Sequence, residues 1–337
     1  MNLPSGFKWY EAPTPEIIEL LNDTTLGTNG AKYRHLDTID RIHEADLPLF
    51  LTLEWRDRVL GNIAFCRRNQ TWYIRYFAFH RAFQAGNRVQ KKQTDSGFKA
   101  GLKSFFATQL NSGNVDAFYA FIDSKNDRSK WMSEQFGFRV ASTLVTQSFS
   151  RIAPKKSTRL TKNISWTAIE PLVLAAYDRH QQFFVHHLSK GPFYGIQNEK
   201  GDLLAFGKFT RVTWEIERLP GKFGKIMVKC IPYIPILNRL IRPKKHVFLA
   251  PEGLWVRDNQ PELLNELFEA VLHAESCNLL MWWADQKDPL HIATNRKIRW
   301  GMLNRIIGQP EVDVVMKDRE GTLPDCRPFY VSAFDLI

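Results

Sequence analysis

Two apolar periods run along the chain, and the places where one gives way to the other lay out its elements. Alternating or continuous runs rich in Phe, Tyr, Trp and Ile predict strands over Leu47–Trp55, Arg58–Arg67 and Thr71–Phe83. Arg56-Asp57 would join the first two as a hairpin. Before them, Pro15–Leu21 reads as a short helix, with Thr14 as its N-cap and Pro15 at the first helical position. Beyond the third strand the period changes. Phe98, Leu102, Phe105, Phe106 and Leu110 fall on one helical face. A strand over Asp116–Ile122 follows, then a helix over Asp127–Phe136 that Gly137 should end, then a strand over Val140–Arg151.

The polar, basic stretch Ala153-Pro-Lys-Lys-Ser-Thr-Arg159 then reads as a linker. After it a similar order returns. Pro192–Gln197 and Leu203–Thr213 form a hairpin, and Val247–Arg257 is a strand. Leu263, Leu264, Leu267, Phe268, Val271 and Leu272 mark a helix capped by Asp258 or Asn259. Leu279–Ala284 is a buried-type strand, Arg296–Ile307 is helical, and Val312–Lys317 and Phe329–Phe334 close the set as strands. One order met twice, about 160 residues apart, predicts a duplicated α+β fold in two domains, 1–155 and 160–337. The second carries an insertion, Arg218–His246, with eight Lys or Arg and no Asp or Glu around an apolar centre. Such a segment suits an anionic membrane surface, or a lid over a cleft or acyl chain, as well as a loop packed on its own domain.

Composition narrows the picture a little. With 337 residues, 44% apolar and 24% charged, the chain can bury two cores, and wholesale disorder is excluded. No two of Cys66, Cys230, Cys277 and Cys326 are near neighbours, so no zinc knuckle or redox pair is visible. The first residues lack the apolar core of a signal peptide, and the longest apolar stretch, 226–241, is too short and broken to span a bilayer. The expectation is a cytoplasmic protein with reduced thiols and no integral membrane segment. The net charge of +11 favours anionic partners: nucleic acid, acidic lipid or a phosphorylated ligand.

The segment that carries most information is Phe118–Phe138. A strand ends, Asn126 follows, then Ser129, Met132 and Ser133 on a helix, then Gly137-Phe138 before another strand. This pattern resembles the second half of the GNAT-superfamily N-acetyltransferase fold, in which an Asn, a small residue, an aliphatic, a Tyr and Gly-Phe recur at that spacing. Ser133 stands at the Tyr position. The resemblance implies two tandem GNAT-like mixed αβα sandwich domains and an acyl-CoA-dependent N-acyltransferase. Acetyl-CoA or another acyl-CoA would be the donor, and a small-molecule or peptide amine the acceptor. In such a fold, strands 73–79 and 118–122 would part at their C-terminal ends. Main-chain groups of Phe77, Ala78 and Phe79, with the side chain of Asn126, would then hold the pantetheine arm. The helix starting near Gly97, Phe98 and Lys99 would offer its amides to the pyrophosphate. The family's glycine-rich phosphate loop is missing; its nearest matches are Arg81–Gly86, with Gln84 where a glycine belongs, and Gly97 with Ala100 and Gly101 in the wrong register. Residues 75–103 nevertheless hold seven Lys or Arg against one Asp. The turn at Arg257–Pro261 has no glycine and one amide fewer, so the first half is the better cofactor half.

For catalysis, Asp123 and Glu54 are the candidate bases, and Ser133 occupies the place of the usual acid. A serine hydroxyl is a weak acid, so either Tyr119 or Tyr76 substitutes for it or the thiolate leaves unassisted. His80 is a further base candidate, and Glu54 could equally be a cross-strand partner of Arg58. His186-His187 lack a third ligand at metal spacing, so no zinc site is expected. Asp285 follows its strand as Asp123 follows the first. Two other functions stay open at this point: a non-enzymatic binding module on a degenerate GNAT fold, and an aminoacyl-tRNA-dependent transferase with tRNA as its partner.

Overall fold

The structure, a computed structural model, describes residues 6–28, 30–56, 58–68, 70–80, 91–319 and 326–336, with main chain alone over 91–98. Its elements begin with β1 (Phe7–Tyr10), α1 (Pro15–Asn22), β2 (Lys32–His35), α2 (Thr38–His43), β3 (Pro48–Trp55) and β4 (Arg58–Arg68). Then come β5 (Thr71–Phe79), α3 (Lys91–Asn111), β6 (Ala117–Asp123), α4 (Asp127–Gln135), β7 (Arg139–Ser150), β8 (Leu160–Ile164) and α5 (Trp166–Tyr177). They continue as β9 (Phe193–Gln197), β10 (Leu203–Arg218), α6 (Gly224–Cys230), α7 (Pro235–Leu240), β11 (His246–Val256) and α8 (Leu263–Ala274). The last are β12 (Leu279–Asp285), α9 (Pro289–Asn295), α10 (Met302–Ile307), β13 (Glu311–Asp318) and α11 (Ala333–Leu336). The class is α+β, as expected. Contacts gather the chain into two units: Met1–Leu26, Leu36–Ala141 and Asp313–Pro324 form the first, and Gly27–His35, Ser142–Val312 and Asp325–Ile337 the second. The basic stretch 153–159 falls within the second.

In the first unit the strands run in the order β1-β3-β4-β5-β6. β3 and β4 form the expected hairpin, with Trp55 opposite Arg58. Side chains alternate across this sheet. Phe50, Ala64 and Ala78 face α1 and α2, packing on Ile17, Leu21 and Ile42. Leu51, Ile63, Phe65 and Trp72 face the other way, onto Phe105 and Phe106 of α3. Phe65 and Phe118 are wholly out of water, and burying each such ring contributes about 2–3 kcal/mol. Thr14 caps α1, its Oγ1 accepting from Ile17 N at 3.4 Å. α3 is longer than its apolar face suggests. It already runs from Lys91, so Gly97, Phe98 and Lys99 lie in its second and third turns and not at its start.

The second unit has the order β7-β12-β11-β10-β9-β8, with β2 also paired to β10. α8 presses Leu264, Leu267, Phe268 and Val271 onto Leu249, Leu280 and Phe149. α5 brings Ile169 and Val173 to Phe193 and Phe206. Three expectations fail here. Asp258 and Asn259 do not cap α8; both take left-handed backbone, φ 51° and 53°, in a tight turn, and Glu262 precedes the helix without a capping side-chain bond. Of the helix expected over Arg296–Ile307, only Met302–Ile307 is helical, and a separate helix, α9, ends before it at Asn295. Asp288 starts α9 by accepting from His291 N at 3.0 Å. Gly301, φ 101°, then sits where a Cβ would meet Ser150 O at 2.4 Å, and helix resumes only at Met302. Residues 329–334 form no strand; Phe329 makes one isolated bridge with Gln181, and α11 follows.

Candidate active site

β5 and β6 run parallel, but their pairing covers only Thr71↔Ala117, Trp72↔Phe118 and Tyr73↔Tyr119. Beyond it β5 continues to Phe79 and β6 to Asp123 with no further register between them. The cause is visible on the other edge of β5. Against β4, Ala64 pairs with Tyr76 and Phe65 with Ile74, so Arg75 is an extra residue on β5. A bulge of this kind bends and twists its strand, and the pairing with β6 stops at Tyr73, two residues before it. His80 N donates to Leu60 O at 2.9 Å. Main-chain groups alternate in an antiparallel ladder, so Ala78 also faces β4, while Phe77 and Phe79 turn theirs toward the gap. Of the three residues expected to line the wedge, two therefore do so with main chain.

The second unit repeats this arrangement. β11 and β12 are parallel with one aligned pair, Leu249↔Leu280. Against β10, Phe206 pairs with Trp255 and Lys208 with Glu252, which leaves Gly253 and Leu254 opposite Gly207 alone. Gly253 has φ +59°, and a Cβ there would lie 2.6 Å from Leu188 Cδ1. The turns after β6 and β12 also match. Asp123 Oδ1 accepts from Lys125 N at 2.9 Å, and Asp285 Oδ1 from Lys287 N at 2.8 Å. Three residues after each aspartate comes a helix cap: Asn126 Oδ1 takes Ser129 N, and Asp288 Oδ1 takes His291 N.

The second wedge is filled by its own unit. Phe329, 1% exposed, is drawn in as its amide donates to Asp285 Oδ2 at 2.8 Å. Ser332 Oγ and Ala333 N both donate to Glu252 Oε2, at 2.9 and 3.2 Å. Lys208 pairs with the other Glu252 oxygen at 3.1 Å. What remains is a cavity of about 20 Å³ among Tyr177, His180, Glu252, Trp283, Asp285 and Tyr330. That is room for one water, against the ~300 Å³ or more of a ligand pocket.

Among the solved structures that match this chain, two that cover nearly all of it at a TM-score above 0.5 are informative. One is Saccharomyces cerevisiae N-myristoyltransferase with bound myristoyl-CoA, at TM-score 0.56 and 10% identity over 96% of this chain and 85% of that one. Another is a tandem GNAT protein from the clavulanic acid biosynthesis pathway, at TM-score 0.52 and 10% identity over 93% and 98%. The chain carries a tandem GNAT fold. No family model and no curated protein matches it by sequence.

Within this GNAT fold the predicted side chains do different things. Asp123 closes β6 at the gap, and its main-chain carbonyl accepts from Asn126 N at 2.8 Å. Asn126 is the cap of α4. Ser133 is 8% exposed, and its hydroxyl donates to Lys130 O at 2.7 Å within its own helix. A hydroxyl so placed must leave that carbonyl before it can protonate anything else. Tyr119, 1% exposed, accepts from Arg68 at 2.7 Å. Glu54 does not face Arg58. Its carboxylate receives Lys8 Nζ at 2.6 Å and the hydroxyls of Tyr10 and Thr52 at 2.8 Å each. Burial pushes the Glu54 carboxyl up, but these three donors outweigh it and hold it below the ordinary glutamate value. Lys99 places its ammonium 4.7 Å from the centre of the Trp131 ring. Arg81–Gly86 lies outside the described residues, as does the side chain of Phe98. His187 stacks on Phe334 at 3.8 Å, and His186 Nε2 lies 2.6 Å from Lys190 Nζ. Among the described residues, no group of three His, Cys, Asp or Glu could hold a metal.

The sequence reading missed the two bulges and the chain segment in the second wedge. Gly253 was a signal for one bulge, since a glycine inside a strand often marks one. Arg75 gave none, because a bulged arginine looks like any polar strand residue.

Proposed function

We propose that the protein is an acyl-CoA-dependent N-acyltransferase whose donor lies in the first-unit wedge. The splay of β5 from β6 carries this reading, because it turns main-chain groups of Phe77 and Phe79 toward a gap that an amide-bearing arm can enter as a third strand. The N-myristoyltransferase of similar fold holds myristoyl-CoA, which supports an acyl-CoA in general. Acetyl-CoA is the simplest donor, and a small-molecule or peptide amine the acceptor. Bound there, an acyl-CoA supplies an activated thioester carbonyl. The chain's own residues do the rest. Phe77 and Phe79 bind the arm, and Asn126 fixes the turn that bounds it. Asp123, at the C-terminal end of β6, takes the proton from the incoming ammonium. Lys99 and Lys103 on α3 supply positive charge for the phosphates. Glu54, held ionised by three donors, is a weak base and braces β1 on β3.

The test is titration of the full-length protein with coenzyme A and acetyl-CoA. Binding is expected, and none at millimolar cofactor refutes the proposal. Phe77→Pro removes one gap-facing amide and leaves the β4 ladder intact. Relative to Phe77→Ala it should weaken cofactor binding about tenfold, the worth of one hydrogen bond. Equal affinities would show that the arm does not pair with β5. Binding without thiol release across a panel of amines would instead favour a non-enzymatic module on the same fold, a reading that the committed hydroxyl of Ser133 also supports.

A further inference from the structure

The insertion between β10 and β11 is folded, and it is turned inside out. It is held by two buried residues, a main-chain hydrogen bond to β10 and a tight local turn. Ile231 and Leu240 are each 3% exposed. Ile216 N donates to Pro243 O at 2.8 Å. Gly224 is buried so tightly that a Cβ would lie 1.8 Å from Leu219 O. Between these anchors, α6, a single 3-10 turn over Ile231–Tyr233, and α7 leave their large apolar side chains in water. Phe223 is 69% exposed, Ile226 59%, Met227 49%, Tyr233 86%, Ile234 42% and Ile236 50%. An insertion packed on its own unit would bury these groups and show polar ones.

Charge says what the surface fits. From 218 to 246 there are eight Lys or Arg and no Asp or Glu. Lys222, Lys225 and Lys229 are exposed among the apolar groups. Aromatic and aliphatic side chains ringed by cations, with no anion, complement lipid phosphates lying over acyl chains. Among the described residues no helix is long and apolar enough to cross a membrane, so the contact is one of lying on the surface. We infer that segment 218–246 docks the protein on an anionic phospholipid bilayer, with Phe223, Ile226, Met227 and Tyr233 entering the interface and the lysines meeting headgroups. The inference does not depend on the acyltransferase reading.

The experiment is co-sedimentation of the full-length protein with vesicles of phosphatidylcholine alone and of phosphatidylcholine with phosphatidylserine. The protein should bind the mixed vesicles, ignore the neutral ones, and be released by added salt. The double variant Phe223→Glu/Tyr233→Glu should bind the mixed vesicles at least about tenfold more weakly. Its melting temperature should be unchanged, since both side chains already face water. The triple variant Lys222→Glu/Lys225→Glu/Lys229→Glu should lose about a hundredfold. Absence of binding, equal binding to neutral vesicles, or full binding by the double variant overturns the proposal. So does a concentration-dependent dimer that the double variant abolishes in a protein that does not bind vesicles, because a second copy would then cover the patch.

Discussion

Gly61 and Phe79 face each other across β4 and β5, in a row with Leu53 of β3. The Phe79 ring lies over the glycine. A Cβ at position 61 would stand 2.7 Å from both Cδ1 and Cε1 of that ring. Carbon atoms in contact prefer ~3.5–4.0 Å, so Gly61→Ala must drive the ring outward by about 1 Å. Gly61 is not among the left-handed glycines, and only the ring opposes the substitution. Overpacking of this kind costs about 1–3 kcal/mol. Phe79→Ala removes a half-buried ring and should cost about 1–2 kcal/mol. In the double variant the clash is gone, and alanine in a strand is better than glycine by about 0.5–1 kcal/mol. The pair should therefore cost no more than Phe79→Ala alone, a coupling of about 1–3 kcal/mol. Urea unfolding of the four proteins measures it. Coenzyme A titration supplies a second reading, since Phe79 turns its main chain to the gap and Gly61→Ala should weaken binding. Additivity within about 0.5 kcal/mol would mean that the ring does not cover Gly61, and the described end of the wedge would be wrong.

Two further expectations concern protons. Glu54 is held below the ordinary glutamate value in the folded chain, so its contribution is complete above that ordinary value and is lost as pH falls through the folded one. Glu54→Leu should cost about 2–3 kcal/mol, because it leaves the Tyr10 hydroxyl without its acceptor and Thr52 with only Lys8 O at 3.4 Å, whereas Glu54→Gln should cost about 1 kcal/mol; equal losses in urea unfolding would contradict the three-donor site. His246 is pushed down to about 4 by burial. The folded chain then binds fewer protons than the unfolded one between pH 6.5 and 4, and stability should fall across that window by about 3 kcal/mol. Against wild type, melting curves of His246→Phe should lose that part of the pH dependence, and an unchanged profile would sink the assignment.

How much of this could be read without coordinates depends on the range of the interaction. The N-cap of Thr14, the hairpin at 55–58, the apolar face over 102–110 and the stop at Gly137 are all local, and all are present. The Asp-x-Lys turns after β6 and β12 were half visible, as an echo between Asp123 and Asp285. Helix ends were less legible. Lys91–Lys99 has no apolar period of its own, yet it is helical because the rest of α3 is packed on the sheet. Residues 289–295 are helical because Asp288 and Pro289 begin a turn there, whereas the apolar pattern pointed further on.

The alternation of apolar and polar residues determined the order of elements, the class of fold and its duplication, because a residue's preference for helix, strand or turn is set by neighbours a few positions away. The wedge is different. Whether β5 parts from β6 depends on one surplus residue against β4, and the second wedge is closed by amides arriving from residues 329–333. The orientation of Phe223 and Tyr233 is likewise decided by anchors at Gly224, Ile231 and Leu240. In each case the deciding partner is remote in the chain or is a matter of register, and only the folded arrangement brings it to bear.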